Sequence, residues 1–347
     1  MNLEDIKKYL ATYDGPEMQI MEVCGSHTAA IAKNGIPTML SPNIRLISGP
    51  GCPVCVTPTA YVDRAIELAE TPDTCLVTFG DLIRVPGSRT TLSAARGEGA
   101  RVEMVYSPLD TLLLAEKHPD TVFVFAAVGF ETTAPAYALL MQQITGKKIT
   151  NVRLLTAMKT MPPVIDALCR GGAPVQGFLA PGHVSVVTGS RAFVPLAERY
   201  QIPFAVAGFT GEEILAAVYG IVRSYGRGRV MNFYPRVVTE EGNVRAQELI
   251  RRYFVPCRAA WRGLGAIEES GLMLRPEYAA YDAGSGGLDD DSGANRACRC
   301  GDVLTGRIRP VDCPLFGKAC TPMSPKGACM VSQEGSCFTW LSNGRRE

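Results

Sequence analysis

Between residue 18 and about residue 230, short apolar runs alternate with amphipathic stretches. The runs fall at 19–23, 44–47, 74–79, 101–106, 122–128, 151–156, 177–179 and 204–207. They are rich in β-branched residues and bounded by Gly or Pro, so they predict strands buried on both faces, as in parallel sheets. The stretches between them carry apolar residues at helical spacing. In 59–69, Val62, Ala65, Ile66 and Ala69 share one face, and 134–144, 163–169, 191–200 and 212–225 behave alike. Strand–helix alternation predicts an α/β fold with two doubly wound, Rossmann-like parallel-sheet domains, 18–128 and 129–230, dividing near Gly129.

Beyond 230 the alternation stops. Residues 240–254 predict one more amphipathic helix, and DAGSGGLDDDSGANR (282–296) predicts a polar loop. The remaining segment is dense in turn residues and poor in periodic apolar positions. It cannot bury enough side-chain surface to form a core alone, and a bound metal would supply what burial does not. It predicts a smaller irregular or helical domain, 231–347, grouped with an N-terminal helix in 1–17.

Composition narrows the class. The 35 basic and 34 acidic residues nearly cancel, so nothing points to a nucleic-acid or membrane surface. The first residues, MNLEDIKKYLATYDG, lack the apolar core of a signal peptide. No apolar run approaches the about 20 residues that span a bilayer. The expectation is a cytoplasmic protein. Twelve cysteines, six of them at 298 or beyond, are the anomaly. In a cytosolic chain, clustered cysteines point to metal binding or thiol chemistry rather than to a disulfide scaffold.

The N-terminal thiols sit where open α/β sheets place ligands, past the carboxyl ends of strands. Cys24, in MEVCGSHT, follows the first run, and Ser26 or Thr28 is placed to cap the next helix. A helix N-terminus there would stabilise a Cys24 thiolate, and His27 offers a base, a donor or a ligand. Cys52 and Cys55, in GPGCPVCVTP, have the C-x-x-C spacing of a redox dithiol or of half a metal site. Lying after a strand and before a helix, they read as a dithiol. Glu131, in GFETTAP, and His183, in a Gly/Pro-punctuated turn, are further candidates for the same crevice, as is Asp81. His118, ending a helix, reads as structural.

The C-terminal thiols are Cys298, Cys300, Cys313, Cys320, Cys329 and Cys337. A [4Fe–4S] cluster and a zinc ion each take four and leave two. The paired knuckles of zinc ribbons, the C-x-x-C-x-x-C ferredoxin run and the radical SAM spacing are all absent. Count does not decide between cluster and zinc, the missing knuckles put an iron–sulfur cluster modestly ahead, and spacing does not choose the four ligands.

Taken together, MEVCGSHT, GPGCPVCVTP, GFETTAP, PGHVS and the cysteine-rich tail from 298 to 337 resemble the HypD family of hydrogenase maturation proteins. The resemblance spans essentially the whole chain. It implies a scaffold for the Fe(CN)₂CO unit of [NiFe]-hydrogenase, working with the small chaperone HypC and receiving cyanide from HypE, which carries it as a thiocyanate. The family's C-x14-C-x6-C-x16-C motif falls on Cys298, Cys313, Cys320 and Cys337 and implies a [4Fe–4S] cluster there. Cys300 and Cys329 then become a redox pair beside it. Cys24 becomes the ligand of the transient iron, with His27 orienting that site or moving protons, and electrons pass among the thiol groups by way of Cys52 and Cys55. The rival expectation is an iron–sulfur-dependent thiol–disulfide oxidoreductase, which has no need of Cys24.

Overall fold

A computed structural model describes residues 2–291 and 293–343. Ser292 of the polar loop and residues 344–347 of the expected third domain lie outside them. The chain forms a mixed α/β fold with two sheets in which parallel pairing dominates. Among the described residues there are eleven strands: β1 Met18–Glu22, β2 Ile44–Ser48, β3 Thr74–Thr78, β4 Val102–Met104, β5 Val122–Gly129, β6 Val152–Lys159, β7 Gly177–Pro181, β8 Phe204–Ala207, β9 Val230–Asn232, β10 Phe254–Trp261 and β11 Gly265–Leu274. The first eight coincide with the eight apolar runs.

The first sheet has the order β2-β1-β7-β8-β9 and is parallel throughout. The second has the order β10-β11-β6-β5-β3-β4, parallel except for the β10–β11 hairpin, whose β11 runs antiparallel to β6. A cut near Gly129 does not separate these sheets. The chain starts the first sheet with β1 and β2, builds β3 to β6 of the second, returns for β7 to β9, and closes the second with the hairpin. Strand character is local and shows in composition. Sheet membership depends on which helix faces cover which strands, and that leaves no mark in the periodicity.

Two further expectations change. The helix expected over 240–254 ends at Tyr253, and Phe254 opens β10 directly. The N-terminal helix Leu3–Ala11 packs on Gly211–Arg223 of the first sheet, with Tyr9 edge-on to Tyr219 at 5.1 Å, rather than on the cysteine-rich segment.

The main core joins both sheets. Phe178 and Phe204 of the first are buried in one cluster with Leu76, Val124 and Leu155 of the second. The cysteine-rich segment contributes Leu304, Ala328, Cys329 and Val331 to that same cluster. Its own regular structure is slight: helices Cys300–Leu304 and Ser336–Ser342 and short 3-10 turns. The segment is thus anchored to the sheets by side chains that it could not have packed alone. Among the described residues no helix is long and apolar enough to cross a membrane.

Candidate functional site

β1 delivers Glu22 and Cys24 to its carboxyl end. Cys24 is the extended N-cap of the helix Gly25–Lys33, but its thiol makes no capping bond. Neither expected cap forms. Ser26 Oγ donates to Glu334 at 3.0 Å, and Thr28 Oγ1 donates to Glu22 at 2.5 Å. The Glu22 carboxyl also accepts the Cys24 N–H at 3.0 Å, so a buried side chain clamps both ends of the turn. Burial raises Glu22 to about 8, against the lowering effect of its hydrogen bonds.

The Cys24 thiol is not lowered overall as expected, although the His27 and Ser26 N–H groups at the helix N-terminus do favour its thiolate. Burial pushes it up to about 12, and Glu22 and Glu334 add to the rise. Desolvation of a thiolate outweighs a few N–H dipoles.

The loop after β2 lies directly on Cys24. The Gly25 N–H donates to the Gly51 carbonyl at 2.9 Å. A Cβ on Gly51 would stand 2.3 Å from the Cys24 nitrogen, so only glycine allows this approach. Cys52 and Cys55 form a disulfide, and both are buried. The following helix starts at Thr59 with Pro58 as N-cap, so the pair does not occupy a helix N-terminus as a thioredoxin-type dithiol would. Cys55 Sγ instead lies 3.7 Å from the carbonyl oxygen of Ala328, next to Cys329.

His27 is fully buried. Its Nε2–H points at the carbonyls of Ala207 and Gly208, at 3.2 and 3.0 Å. Its Nδ1 has no partner among the described residues. Burial lowers it to about 4, so the ring is neutral. His183 lies in the first turn of the helix Gly182–Thr188 rather than in a loop, and burial lowers it too. Phe209 stands between the two histidines, with ring centroids 4.8 Å from His27 and 4.1 Å from His183. The ends of β7 and β8 thereby bring His183 and Phe209 beside His27 of the Cys24 helix.

Glu131 is placed differently. One oxygen accepts the Met161 N–H at 2.7 Å and the other has no described partner. Its hydrogen bond is to the helix Met161–Arg170 and not to Cys24 or His27. Burial raises it to about 7.

The six C-terminal cysteines line one cavity, together with apolar Val303, Leu315 and Phe316. Cys300 Sγ and Cys329 Sγ approach to 2.8 Å. The Cys337 thiol is held up by burial and by the neighbouring Cys300, Cys298, Cys320 and Cys313 thiols. The Lys326 N–H donates to Cys320 Sγ at 3.3 Å. Gly327 lies against Cys298, where a Cβ would come within 2.5 Å of the sulfur. Among the described residues no three His, Cys, Asp or Glu side chains converge closely enough to hold a single metal ion.

Sequence reasoning missed four residues here. Glu22 had a signal, the one charged residue in the strand MQIME. Glu334 and Phe209 had none. Arg262 lies in the turn of the unforeseen hairpin. It is buried, donates from Nε to Thr57 O at 2.7 Å and from Nη2 to Pro86 O at 3.1 Å, and its charge favours the Cys298, Cys300 and Cys329 thiolates.

A family model described as "Hydrogenase formation hypA family" and named HypD matches residues 2–344. The chain belongs to the HypD family. Among its relatives, the hydrogenase maturation factor HypD of Rhodobacter capsulatus is 44% identical over 347 residues, covering 97% of this chain and 92% of that one. The factor of the same name from Azotobacter vinelandii is 43% identical, covering 95% and 90%. That of Escherichia coli strain K12 is 41% identical, again covering 95% and 90%. The resemblance carried by the cysteine motifs therefore extends over the full fold.

Proposed function

We propose that this hydrogenase maturation factor is the scaffold on which the Fe(CN)₂CO unit of [NiFe]-hydrogenase is assembled, with a HypC-type chaperone and with cyanide delivered by a HypE-type protein. The observation that carries this reading is the continuity of three sulfur groups. Cys24 is packed on the Cys52–Cys55 loop through Gly51, Cys55 touches Ala328, and Cys329 faces Cys300.

The cargo iron is the substrate. Iron bearing cyanide and CO is soft and suits a thiolate, and Cys24 is its ligand on this chain, in company with a cysteine of the chaperone. Glu22 holds the Cys24 turn. Neutral His27, anchored through Nε2, keeps Nδ1 free to accept a proton or a hydrogen bond.

Cyanide release needs two electrons. A thiolate from reduced Cys52 or Cys55 attacks the thiocyanate sulfur, forms a mixed disulfide and expels cyanide. The second thiol of the pair then frees the carrier as a thiol and leaves the Cys52–Cys55 disulfide. Exchange with reduced Cys300 and Cys329 returns the dithiol and moves the disulfide to that pair.

The donor set suits a [4Fe–4S] cluster held by Cys298, Cys313, Cys320 and Cys337: four thiols line one cavity, with an apolar wall, an N–H donor on Cys320 and a glycine clearing room beside Cys298. Such a cluster supplies single electrons when bound. Doubly wound, Rossmann-like halves and a distinct cluster domain are the architecture that goes with this reading.

The rival reading, an iron–sulfur-dependent thiol–disulfide oxidoreductase, draws on the same Cys52–Cys55 disulfide beside Cys329. Single-turnover transfer of labelled cyanide from the carrier separates them. Of Cys52→Ala and Cys55→Ala, the variant that lacks the attacking thiol is expected to abolish transfer and the one that lacks the second thiol to stop at a mixed disulfide with the carrier, while iron and sulfide contents stay at the wild-type level. Full transfer in both variants, with no mixed disulfide trapped in either, would contradict the proposed role of the dithiol.

A further inference from the structure

A second cavity, of about 120 Å³, opens on the far side of β6, between the β10–β11 hairpin and the loop that follows it. Lys159, the last residue of β6, lines it and is only 3% exposed. Among the described residues its ammonium has neither a hydrogen bond nor an ion pair, and Nζ is not among the fully enclosed side-chain atoms left without a partner, so it reaches the open space of the cavity. An ammonium on so largely buried a side chain is costly to keep charged unless something in that space compensates it.

The surroundings of Lys159 do not supply that compensation. Arg258 is already engaged with Glu268 at 3.3 Å and with Asp289 at 2.8 Å. Asp289 and the Cys257 thiol act on Lys159 only through longer-range electrostatics, and burial lowers the amine to about 8. Tyr61, also on the wall, spends its hydroxyl on Leu155 O. The exposed glycine-rich stretch Gly286–Gly287 also lines the cavity, next to Ser285, which receives the Thr156 N–H at 2.8 Å. The N–H groups of Gly286 and Gly287 donate to no described acceptor. Gly287 has φ +74°, a conformation glycine adopts freely. A cation and the unengaged backbone N–H groups of a glycine-rich loop lining one cavity are the elements that recognise oxyanions.

We propose that this cavity binds a small tetrahedral oxyanion, with Lys159 as its cation and the Gly286 and Gly287 N–H groups as further donors. The site is separate from the sulfur groups, since its lining includes none of Cys24, Cys52, Cys55 or the C-terminal cysteines. The oxyanion is either free inorganic phosphate or the phosphoryl group of a small phosphomonoester.

The test is titration calorimetry on the full chain with orthophosphate and with glycerol 3-phosphate, at ionic strength matched with chloride, supported by thermal midpoints in the same buffers. Wild type is expected to bind at least one of them and to gain thermal stability over chloride. The tighter ligand identifies the source. Lys159→Met is expected to weaken binding at least about tenfold. A second variant guards against misfolding. A Cβ on Gly286 meets nothing within 4 Å, so Gly286→Asp is tolerated and sets a carboxylate against the anion. It should also lose the binding. No binding by wild type, or equal binding by wild type and both variants, overturns the proposal.

Discussion

Gly51 and Cys24 are locked together backbone to backbone: the Gly51 carbonyl accepts the Gly25 N–H at 2.9 Å, and a Cβ on Gly51 would stand 2.3 Å from the Cys24 nitrogen. The separation between the candidate iron ligand and the Cys52–Cys55 loop is therefore set by main chain, which cannot swing aside as a long side chain can. Gly51→Ala should cost about 1–3 kcal/mol in denaturant unfolding, because the added methyl must displace main chain. It should also lower cyanide loading more than the same loss of stability made elsewhere, for instance by Leu10→Ala in the separate core under the N-terminal helix. Equal loading in the two variants would show that the spacing is not used.

The C-terminal cysteines divide into two groups. Alanine at Cys298, Cys313, Cys320 or Cys337 should lower iron and acid-labile sulfide per chain. It should lower the thermal midpoint as well, because Leu304, Ala328 and Val331 depend on this segment's fold to reach the common core. Alanine at Cys300 or Cys329 should leave iron and sulfide intact and remove the reducible pair. Loss of iron on replacing Cys300 or Cys329 would reassign the ligands.

Arg262 combines two duties in one buried side chain. Replacing it with Met leaves the Thr57 and Pro86 carbonyls without their donor, a loss on the order of 2–4 kcal/mol in denaturant unfolding. It also withdraws the positive charge that favours the Cys300 and Cys329 thiolates. The reduction potential of that pair should become more negative, read by redox titration with thiol labelling. A purely structural arginine would change stability and leave the potential where it was.

Glu131 predicts a pH dependence of stability. Its folded value of about 7 lies above its ordinary 4.5 because burial disfavours the charge. Between those values the folded chain holds a proton that the unfolded chain has released. The contribution is therefore complete below pH 4.5 and is lost as pH rises to 7. His27, lowered to about 4, acts oppositely and loses its contribution as pH falls below 6.5. The comparison with Glu131→Gln cancels that opposing effect, since Gln keeps an oxygen for the Met161 N–H. The variant should gain on wild type as pH rises from 5 to 8, by on the order of 3 kcal/mol at most. A difference that does not change with pH would mean that Glu131 titrates normally.

Eight strands were readable because a parallel strand buried on both faces is a continuous apolar run, and β5, VFVFAAVG, is the clearest case. The β10–β11 hairpin was not readable. Pro256, Gly265, Gly271 and the Glu268–Glu269 pair break any alternation, and its stability comes from pairing and from Ser270 accepting the Trp261 indole N–H at 2.8 Å. The thiols of the candidate site were visible in the sequence, Cys24 from its place after a strand, Cys52 and Cys55 from their spacing and the C-terminal six from their clustering, yet their surroundings were not. Ser26 and Thr28 looked like caps and instead serve Glu334 and Glu22. Glu334 is 308 residues from Ser26, and no local pattern encodes a partner at that distance. The expected lowering of the Cys24 thiol failed for a related reason. A helix N-terminus can be read locally, but the burial that overrides it depends on the whole fold.

The central claim is that Cys24 carries the cargo iron. The most direct test is an infrared spectrum of the chain purified anaerobically with its HypC-type partner, for wild type and for Cys24→Ala. The account predicts bands of iron-bound CO and cyanide in the wild-type complex and their loss in the variant, with iron–sulfur content equal in both. Undiminished CO and cyanide bands in Cys24→Ala would contradict it.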